Sequence, residues 1–431
     1  MPENAQFALA PPNRAVLACL NAERLWHRVQ TLAGFTDAQR PWTRRAFSAL
    51  HAQSRDWLRG QMQEAGLQTS LDAAGNLIGR RPGRRADAAP LVTGSHCDTV
   101  MDGGRFDGII GVLAGIEFAH ALHDAQVQLD HPLEVIDFLS EEPSDYGISC
   151  VGSRGMTGLL DDAMLASARL DGETLAQGMV RVGAAPDRLQ TALRGKGDTA
   201  AFVELHIEQG PVLETRGLPI GVVSHIVGIR RVALTVTGRP DHAGTTPMDL
   251  RRDALVGAAR LIEGAHARAQ ALAAGTDYVV ATVGRLDMTP NVPNAVPGHV
   301  ELVLEVRSDN DQVLAGFPEA VLAGTAEGLK ALRVSVDMRE LSRSRPTACD
   351  PDVMRVIEAA SSGLGYASAV LPSGAGHDAA YMARSGPMGM VFIPCRDGRS
   401  HCPEEWTEPE QLMDGARVLA ASLMHLDVAR P

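Results

Sequence analysis

Residues 94–108 read GSHCDTVMDGGRFDG, and this stretch decides the fold. An apolar run stops here and glycines begin, which is typical of a buried strand that hands its last residues to a functional loop. The stretch carries an imidazole at His96 and carboxylates at Asp98 and Asp107. These side chains are metal-ligand types, although the same residues in a loop can also serve only as turn and capping partners.

Three more apolar runs end in ligand-type residues. Residues 133–140 read LEVIDFLS and lead into Glu141 and Glu142, residues 202–206 read FVELH and end in His206, and residues 388–394 lead towards His401. A long apolar helix is predicted between the first two strands, at about 108–122. Strand, helix and strand with functional residues at the strand ends is typical of an α/β sheet.

Composition limits the class of protein. With 431 residues the chain exceeds the usual size of a single core, so we expect two domains. The net charge is −12 and the basic residues are dispersed, which argues against nucleic acid as a partner. Six scattered cysteines without a CxxC pair suit a reducing compartment. No signal peptide and no long uncharged apolar window is legible, so we expect a cytoplasmic protein without a membrane partner.

A second unit interrupts the first. The order strand 231–237, helix 252–273, strands 279–286 and 300–307, helix 312–329 and strand 332–338 predicts a β-α-β-β-α-β sandwich of the ferredoxin-like type. Helices are predicted near 14–32 and 43–65, a short strand at 76–79, and a return to the large unit with strand 388–393 and helix 409–426. We therefore expect a catalytic domain in two parts, 1–215 and 336–431, around an inserted domain at 216–335.

Two divalent ions held close together require a bridging carboxylate and further imidazole or carboxylate ligands. The sequence offers such a set in five residues: His96, Asp107, Glu142, His206 and His401. Glu141 cannot easily ligate beside its neighbour, so it is left free to carry protons. The carboxylate of Asp98 is expected to accept the second ring N–H of His96, as carboxylates behind metal ligands do, although a solvated acid is an equal alternative.

Several segments together resemble a known family. They read GSHCDTVMDGGRFDGIIGVLAGIE, SEEPSDYGISCVGSRG, ELHIEQG, GRPDHAGTTPMDLRRDA, PNVPNAVPG, SGAGHDA and SHCPEE. They are similar to the di-metal amidohydrolases that include N-carbamoyl-L-amino acid amidohydrolases, β-ureidopropionase and allantoate amidohydrolase. The resemblance covers about residues 15–428 and implies a large aminopeptidase-like α/β catalytic domain with an inserted ferredoxin-like lid that forms a homodimer. One departure alters the wall beside the paired glutamates, because many relatives carry Gly, a variable residue, Arg and Phe where this chain has PSDY at 143–146.

The resemblance also implies roles for individual residues. His96 and His206 would hold one ion, Glu142 and His401 the other, with Asp107 as the bridge and Glu141 as the general base. His242 would stabilise the oxyanion, and the substrate would contact a set of six residues: Gln209, Asn294, Arg307, Gly374, Ala375 and Gly376. From the residues alone, Arg307 could bind a substrate carboxylate or form a surface salt bridge, and Asn294 could be only a turn residue.

These features predict an enzyme that hydrolyses a linear ureido or amide C–N bond. The expected reaction converts an N-carbamoyl-L-amino acid to the amino acid, carbon dioxide and ammonia. Allantoate amidohydrolase and β-ureidopropionase are alternatives, and a dipeptidase or aminoacylase, or a dimeric binding protein without activity, is a more distant one. Zinc is the expected metal, while manganese, cobalt or nickel would also suit the ligands. The expected partner is a small molecule with a carboxylate.

Overall fold

The chain forms an α/β structure in a computed structural model that describes residues 11–429. The strands, β1–β15 in chain order, span Gln68–Leu71, Leu77–Arg81, Leu91–His96, Leu133–Phe138, Ala201–Ile207, Ile220–Ile226, Gly228–Thr237, Asp241–His242, Val279–Thr289, Ala295–Val296, His299–Ser308, Ser335–Ser344, Thr347–Ala348, Ser368–Ser373 and Met388–Ile393. The helices, α1–α13, span Pro11–Cys19, Ala22–Ala33, Ala49–Glu64, Ile109–Asp124, Val151–Met156, Asp162–Leu165, Leu175–Arg181, Val212–Arg216, Ala254–Ala273, Asp311–Leu332, Pro351–Gly363, Ala379–Met382 and Pro409–Ala429. Short 3-10 helices occupy Pro186–Thr191, Met248–Leu250 and Arg396–Gly398. None of the described helices has both the length and the apolar character that a membrane crossing requires.

The chain divides into two compact units. The first contains residues up to Ser224, Cys349–Leu371 and the segment from Gly376 onward, and the second contains His225–Ala348 and Pro372–Ala375. The chain leaves the first unit after Ser224 and re-enters it at Cys349, whose backbone N–H donates to the Ser224 carbonyl at 2.9 Å. The second unit is therefore an insertion into the first.

The sheet of the first unit places its ligand-type residues on one edge. Its strands run in the order β1-β2-β4-β3-β5-β15-β6. β3 is parallel to β4 and β5, and β15 is parallel to β5. Because the carboxyl ends of parallel neighbours meet at the same edge, the residues that follow these four strands come together.

Burial explains why these segments form strands and helices. β3, β4, β5 and β15 are buried along their whole length, as strands covered on both faces are. α4 is buried from Ile109 to Ala119, and it packs against β3 and α13 in the main core. A helix that is apolar on all sides is a core element, and this one directly follows the Asp107 loop.

The second unit has its own sheet and core. Its four strands run in the order β12-β7-β11-β9, and all three pairs are antiparallel. α9 and α10 pack on this sheet, and they bury residues such as Val236, Leu302 and Phe317. The order β7, α9, β9, β11, α10, β12 is the β-α-β-β-α-β pattern of a ferredoxin-like sandwich.

The structure differs from the predicted elements at several boundaries. The helix expected at 43–65 spans Ala49–Glu64, because the Ser48 side chain caps it by accepting from the His51 N–H at 3.1 Å. The helix expected at 14–32 is two helices, because Asn21 has extended dihedrals and its side chain caps α2 by accepting from the Arg24 N–H at 2.9 Å. The last strand of the second unit begins at Ser335 rather than Leu332, since α10 continues to Leu332 and ends with Arg333 in the left-handed region. β12 also runs on to Ser344, past residue 335, where the inserted domain was predicted to end.

Candidate metal centre

The strand ends deliver five ligand-type side chains to one place. His96 is the last residue of β3, His206 is the residue before the last of β5, and Glu142 follows β4. Asp107 comes from the loop before α4, and His401 comes from the loop after β15 with φ of 55°. A residue other than glycine with positive φ is uncommon and marks a backbone that its surroundings hold in place.

The two carboxylate oxygens of Asp107 face different partners. Oδ1 lies 3.1 Å from Nε2 of His206 and 3.7 Å from Nε2 of His96. Oδ2 lies 3.0 Å from Nε2 of His401, which is itself 3.1 Å from Oε1 of Glu142. Two clusters of possible metal ligands, His96–Asp107–His206 and Asp107–Glu142–His401, therefore share one carboxylate. A shared carboxylate between two such clusters is what a pair of bridged divalent ions requires.

The electrostatics of the site favour added positive charge. Burial lowers the pKa of His96, but the surrounding carboxylates outweigh it and raise this pKa to about 10. Hydrogen bonds to Asp107 and Glu142 raise the pKa of His401 to about 11. Burial raises the pKa of Asp107, yet its bonds to His206 and His401 bring it well below its usual range. Imidazoles that attract protons this strongly lie where cations are stabilised, so the donor set fits divalent ions.

Glu141 lies beside the ligands but belongs to neither cluster. Its Oε2 is 3.7 Å from Nε2 of His96, and its Oε1 accepts a hydrogen bond from Sγ of Cys150 at 3.4 Å. Burial raises the pKa of Glu141 well above its usual value. A buried carboxyl group with a raised pKa next to possible metal ligands is suited to take up and release a proton.

Asp98 holds the paired glutamates rather than His96. Its carboxylate accepts the backbone N–H groups of Glu141 and Glu142, both at 3.2 Å. Nδ1 of His96 lies 2.9 Å from the Asp98 backbone carbonyl and 3.6 Å from its carboxylate. The sequence analysis expected the Asp98 carboxylate to be the partner of the His96 ring. The Asp98 backbone carbonyl takes this place instead, because the chain turns immediately after β3.

Glu405 is a residue to which the sequence analysis gave no role. It is fully buried, and its Oε1 accepts the backbone N–H groups of Phe106 at 2.8 Å and Asp107 at 3.1 Å. Its Oε2 accepts from the Ser400 hydroxyl at 2.7 Å. A Cβ at Gly104 would lie 1.9 Å from this carboxylate. Glu405 therefore joins the Asp107 loop to the loop that carries His401, and only the SHCPEE segment, residues 400–405, could have drawn attention to it.

The absence of a side chain at Gly108 leaves room for the imidazole of His96. Its φ is +68°, and a Cβ there would lie 2.2 Å from Nε2 of His96. Its N–H donates to Nε2 of His206 at 3.1 Å. The position therefore requires glycine both for its backbone conformation and for the approach of an imidazole.

Two of the expected substrate contacts lie in the first unit. Gln209, with φ of 58°, donates from Nε2 to Oδ2 of Asp107 at 2.8 Å. Gly376 is exposed in the loop after β14, directly before His377. The His377 ring is buried and lies 4.6 Å from the His206 ring in an edge-to-face arrangement. Gln209 is thus brought to the centre, where it contacts a ligand-type carboxylate.

The remaining expected residues lie in the second unit. His242 in β8 is paired with Ala295 in β10, and the carbonyl of Asn294 accepts the N–H of Ala243 at 3.0 Å. The His242 ring is exposed, and its Nδ1 accepts the backbone N–H groups that follow it, so Nε2 is the nitrogen left to face outward.

Arg307 and the glycine-rich segment are neighbours within the second unit. Arg307 donates from Nη1 to the Gly374 carbonyl at 2.8 Å and from Nε to Glu305 at 2.7 Å. The N–H of Ala375 donates to the Ser373 hydroxyl at 3.2 Å. These two hydrogen bonds hold the Arg307 guanidinium in place through Nε and Nη1. Neither of them uses its third nitrogen, Nη2.

The fold and the paired clusters define a class, the metal-dependent α/β hydrolases. Residues 92–425 match the model of Peptidase family M20/M25/M40. The chain is 39% identical over 409 residues to an N-carbamoyl-L-amino acid amidohydrolase of Geobacillus stearothermophilus, which covers 94% of this chain and 99% of that protein. It is 34% identical over 383 residues to the allantoate amidohydrolase of Bacillus subtilis (strain 168), which covers 86% of this chain and 91% of that protein.

A solved structure agrees with these relatives. The amidase of the hydantoinase/carbamoylase family from Burkholderia multivorans has a TM-score of 0.86 and 36% identity, with 94% of this chain and 98% of that chain covered. The chain belongs to the M20/M25/M40 peptidase family. The predicted resemblance and the α/β fold are thereby confirmed, and the chain is a hydrolase.

Proposed function

We propose that the protein hydrolyses the ureido group of N-carbamoyl-L-amino acids. The reaction adds one water to the carbamoyl carbon, breaks its C–N bonds, and yields the amino acid, carbon dioxide and ammonia. The observation that carries the proposal is the pair of ligand clusters joined by Asp107, with Glu141 buried beside them and engaged in neither.

The ligands divide between two ions. His96 and His206 would hold one, Glu142 and His401 the other, and Asp107 would bridge them. When bound, such ions provide Lewis acidity that lowers the pKa of a water and polarises a carbonyl. Glu141 takes the proton of the attacking water and delivers it to the leaving nitrogen. Zinc suits these nitrogen and oxygen ligands, as do manganese, cobalt and nickel.

The substrate needs partners at both of its ends. Every N-carbamoyl amino acid carries a carboxylate, and a guanidinium matches a carboxylate with two parallel hydrogen bonds. We assign this role to Arg307, with Gln209, Asn294 and the backbone of Gly374–Gly376 as further contacts. His242 would donate to the oxyanion that develops at the carbamoyl carbon.

The inserted unit is proposed to have two further roles. The resemblance assigns the functions of a lid and of a homodimer interface to the insertion, which was predicted at 216–335 between catalytic parts 1–215 and 336–431 and which spans His225–Ala348 in the structure. A cytoplasmic location also stays a prediction. An interface through the insertion predicts that the full chain sediments as a dimer, and that a chain without residues 225–348 sediments as a monomer.

Allantoate is the second candidate substrate. It shares the terminal ureido group and the carboxylate, and a relative named for it is 34% identical to this chain. The departure at residues 143–146 lies directly after the paired glutamates, where it can alter the choice among such substrates.

A parallel assay separates these functions. The metal-loaded protein is tested with N-carbamoyl-L-amino acids, N-carbamoyl-β-alanine, allantoate and dipeptides, and ammonia is measured. We expect the highest kcat/KM with an N-carbamoyl-L-amino acid, and Arg307→Leu should raise KM while the metal content stays unchanged. Highest activity on allantoate or a dipeptide would replace the proposed substrate. Two bound ions without turnover of any of the four would contradict the enzymatic proposal.

A further inference from the structure

A cavity lies in the first unit, at the N-terminal end of α3, and the proposed reaction does not use it. Its volume is about 310 Å³, at the lower end of the range for small-molecule sites. One wall is a single face of α3, because Ala52, Arg55 and Arg59 are three and four residues apart. None of the residues that line it belongs to the ligand clusters around Asp107.

Part of the cavity lining is apolar. Phe47, Leu71, Leu77 and Val182 line it, and Leu77 and Phe47 are buried. Such a surface gains from contact with a hydrocarbon body, at about 25 cal/mol for each Å² removed from water. A ligand that fills the cavity must therefore be apolar on one side.

The charged side of the cavity carries guanidinium groups. Arg55, Arg59 and Arg181 line it, and Asp56 is the only carboxylate among the lining residues. Arg55 and Arg59 keep donors available. The hydrogen bonds of Arg55 run from Nε and Nη2 to Asp137, and Arg59 is bonded only through Nη1, to Asp56. Nη1 of Arg55 and two nitrogens of Arg59 can therefore bind a ligand.

Carboxylates are scarce around these guanidinium groups. Arg55, Arg59 and Arg181 meet one carboxylate within the lining, Asp56. Asp137 and Glu173 pair with Arg55 and Arg181 from outside the lining. This part of the cavity therefore favours a negatively charged ligand.

The start of α3 also favours an anion. His51, in the first turn of this helix, lines the cavity and is 1% exposed. The first turn of α3 contains no acidic residue, and Ser48 caps only the N–H of His51, at 3.1 Å. The positive end of this 16-residue helix is therefore open to an anion.

We propose that this cavity binds a small monocarboxylate with an apolar body. The carboxylate would meet Arg55, Arg59 and the first turn of α3, and the body would pack on Phe47 and Leu77. Inorganic phosphate has no apolar body to contact the apolar part of the lining. An amino acid adds an ammonium group that the guanidinium groups repel.

Calorimetric titration of the metal-loaded full chain tests the proposal, with sodium phenylacetate as the probe. Phenylacetamide has the same shape without the charge, and phosphate has the charge without the body. Ala52→Trp adds a large side chain to the lining of the cavity, while Gln53→Trp is the matched control, because Gln53 is also exposed on α3 but does not line the cavity. Arg59→Gln removes one guanidinium group and leaves a shorter, uncharged polar side chain.

We expect phenylacetate to bind at least tenfold more tightly than phenylacetamide or phosphate. Ala52→Trp should abolish this binding, Gln53→Trp should retain it, and Arg59→Gln should weaken it about tenfold. Binding that is unchanged in Ala52→Trp lies elsewhere, such as at the metal centre, and overturns the proposal. Equal affinity for the amide, or no heat of binding to the wild-type protein, overturns it as well.

Discussion

Replacing Glu405 tests whether one buried carboxylate holds the two loops of the metal centre together. Glu405→Ala leaves the N–H groups of Phe106 and Asp107 without an acceptor in a buried place. Each unmet donor costs about 1–3 kcal/mol, so the free energy of unfolding should fall by about 2–6 kcal/mol. Since a domain is typically stable by about 5–15 kcal/mol, this loss is large. Metal occupancy should fall with it, because Asp107 and His401 lie on the two loops.

Glu405→Gln is the matched control. Its Oε1 can still accept both N–H groups and its Nε2 can donate to the Ser400 hydroxyl, so the loss should stay below about 1.5 kcal/mol. Urea unfolding with a chelator present gives the stabilities, and metal analysis of untreated protein gives the occupancy. If Glu405→Ala lost less than about 1 kcal/mol and kept two ions, Glu405 would not hold these loops.

The wild-type protein and Glu405→Gln should also differ in how their stability depends on pH. Burial, followed by the charge of Asp107, raises the pKa of Glu405 from 4.5 to about 7. The folded protein therefore prefers the protonated form, and the stability that this preference contributes is present below pH 4.5 and lost as the pH rises to about 7. Glu405→Gln does not titrate, so wild-type stability should decline relative to this variant across that window. A constant difference would contradict the burial argument.

Three further substitutions test the centre. Asp107→Ala should lower the occupancy of both ions together with activity, and two ions per chain by metal analysis would contradict the bridge. Glu141→Gln should retain metal while the rate falls by roughly 10²–10⁴-fold, whereas Glu142→Gln should lose one ion; equal metal loss would reverse the roles. Gly108→Ala should displace a ligand imidazole and lower metal occupancy, while Gly147→Ala, also at positive φ but with open space around it, should lose only about 1 kcal/mol of stability.

The ends of the buried strands were the predictable part of the structure. Apolar runs that stop at His96, Glu141 and His206 indicate strands covered on both faces, and parallel strands bring their carboxyl ends to one edge. The run at 388–393 is a strand with those bounds. Each of these inferences depends on local patterns and on one general rule of sheet geometry.

Long-range partners were not predictable in the same way. Glu405 accepts N–H groups almost 300 positions earlier in the chain, and no local pattern marks such a pair. The backbone carbonyl of Asp98 replaces its carboxylate behind His96 because of a turn whose dihedrals the sequence does not specify. The break at Asn21 did have a signal, since asparagine is a strong helix N-cap, but the apolar periodicity on both sides concealed it.

The hydrogen bond from Cys349 to Ser224 has a consequence for the order of folding. The first unit can form it only after bringing together two points separated by residues 225–348. For a flexible loop of that length, closure costs about 4 kcal/mol in chain entropy beyond the constant term. In the inserted unit, His225 is the strand partner of Ala348. An insertion that folds first therefore closes the loop in advance, and the surrounding sheet assembles as if its two parts were nearly continuous.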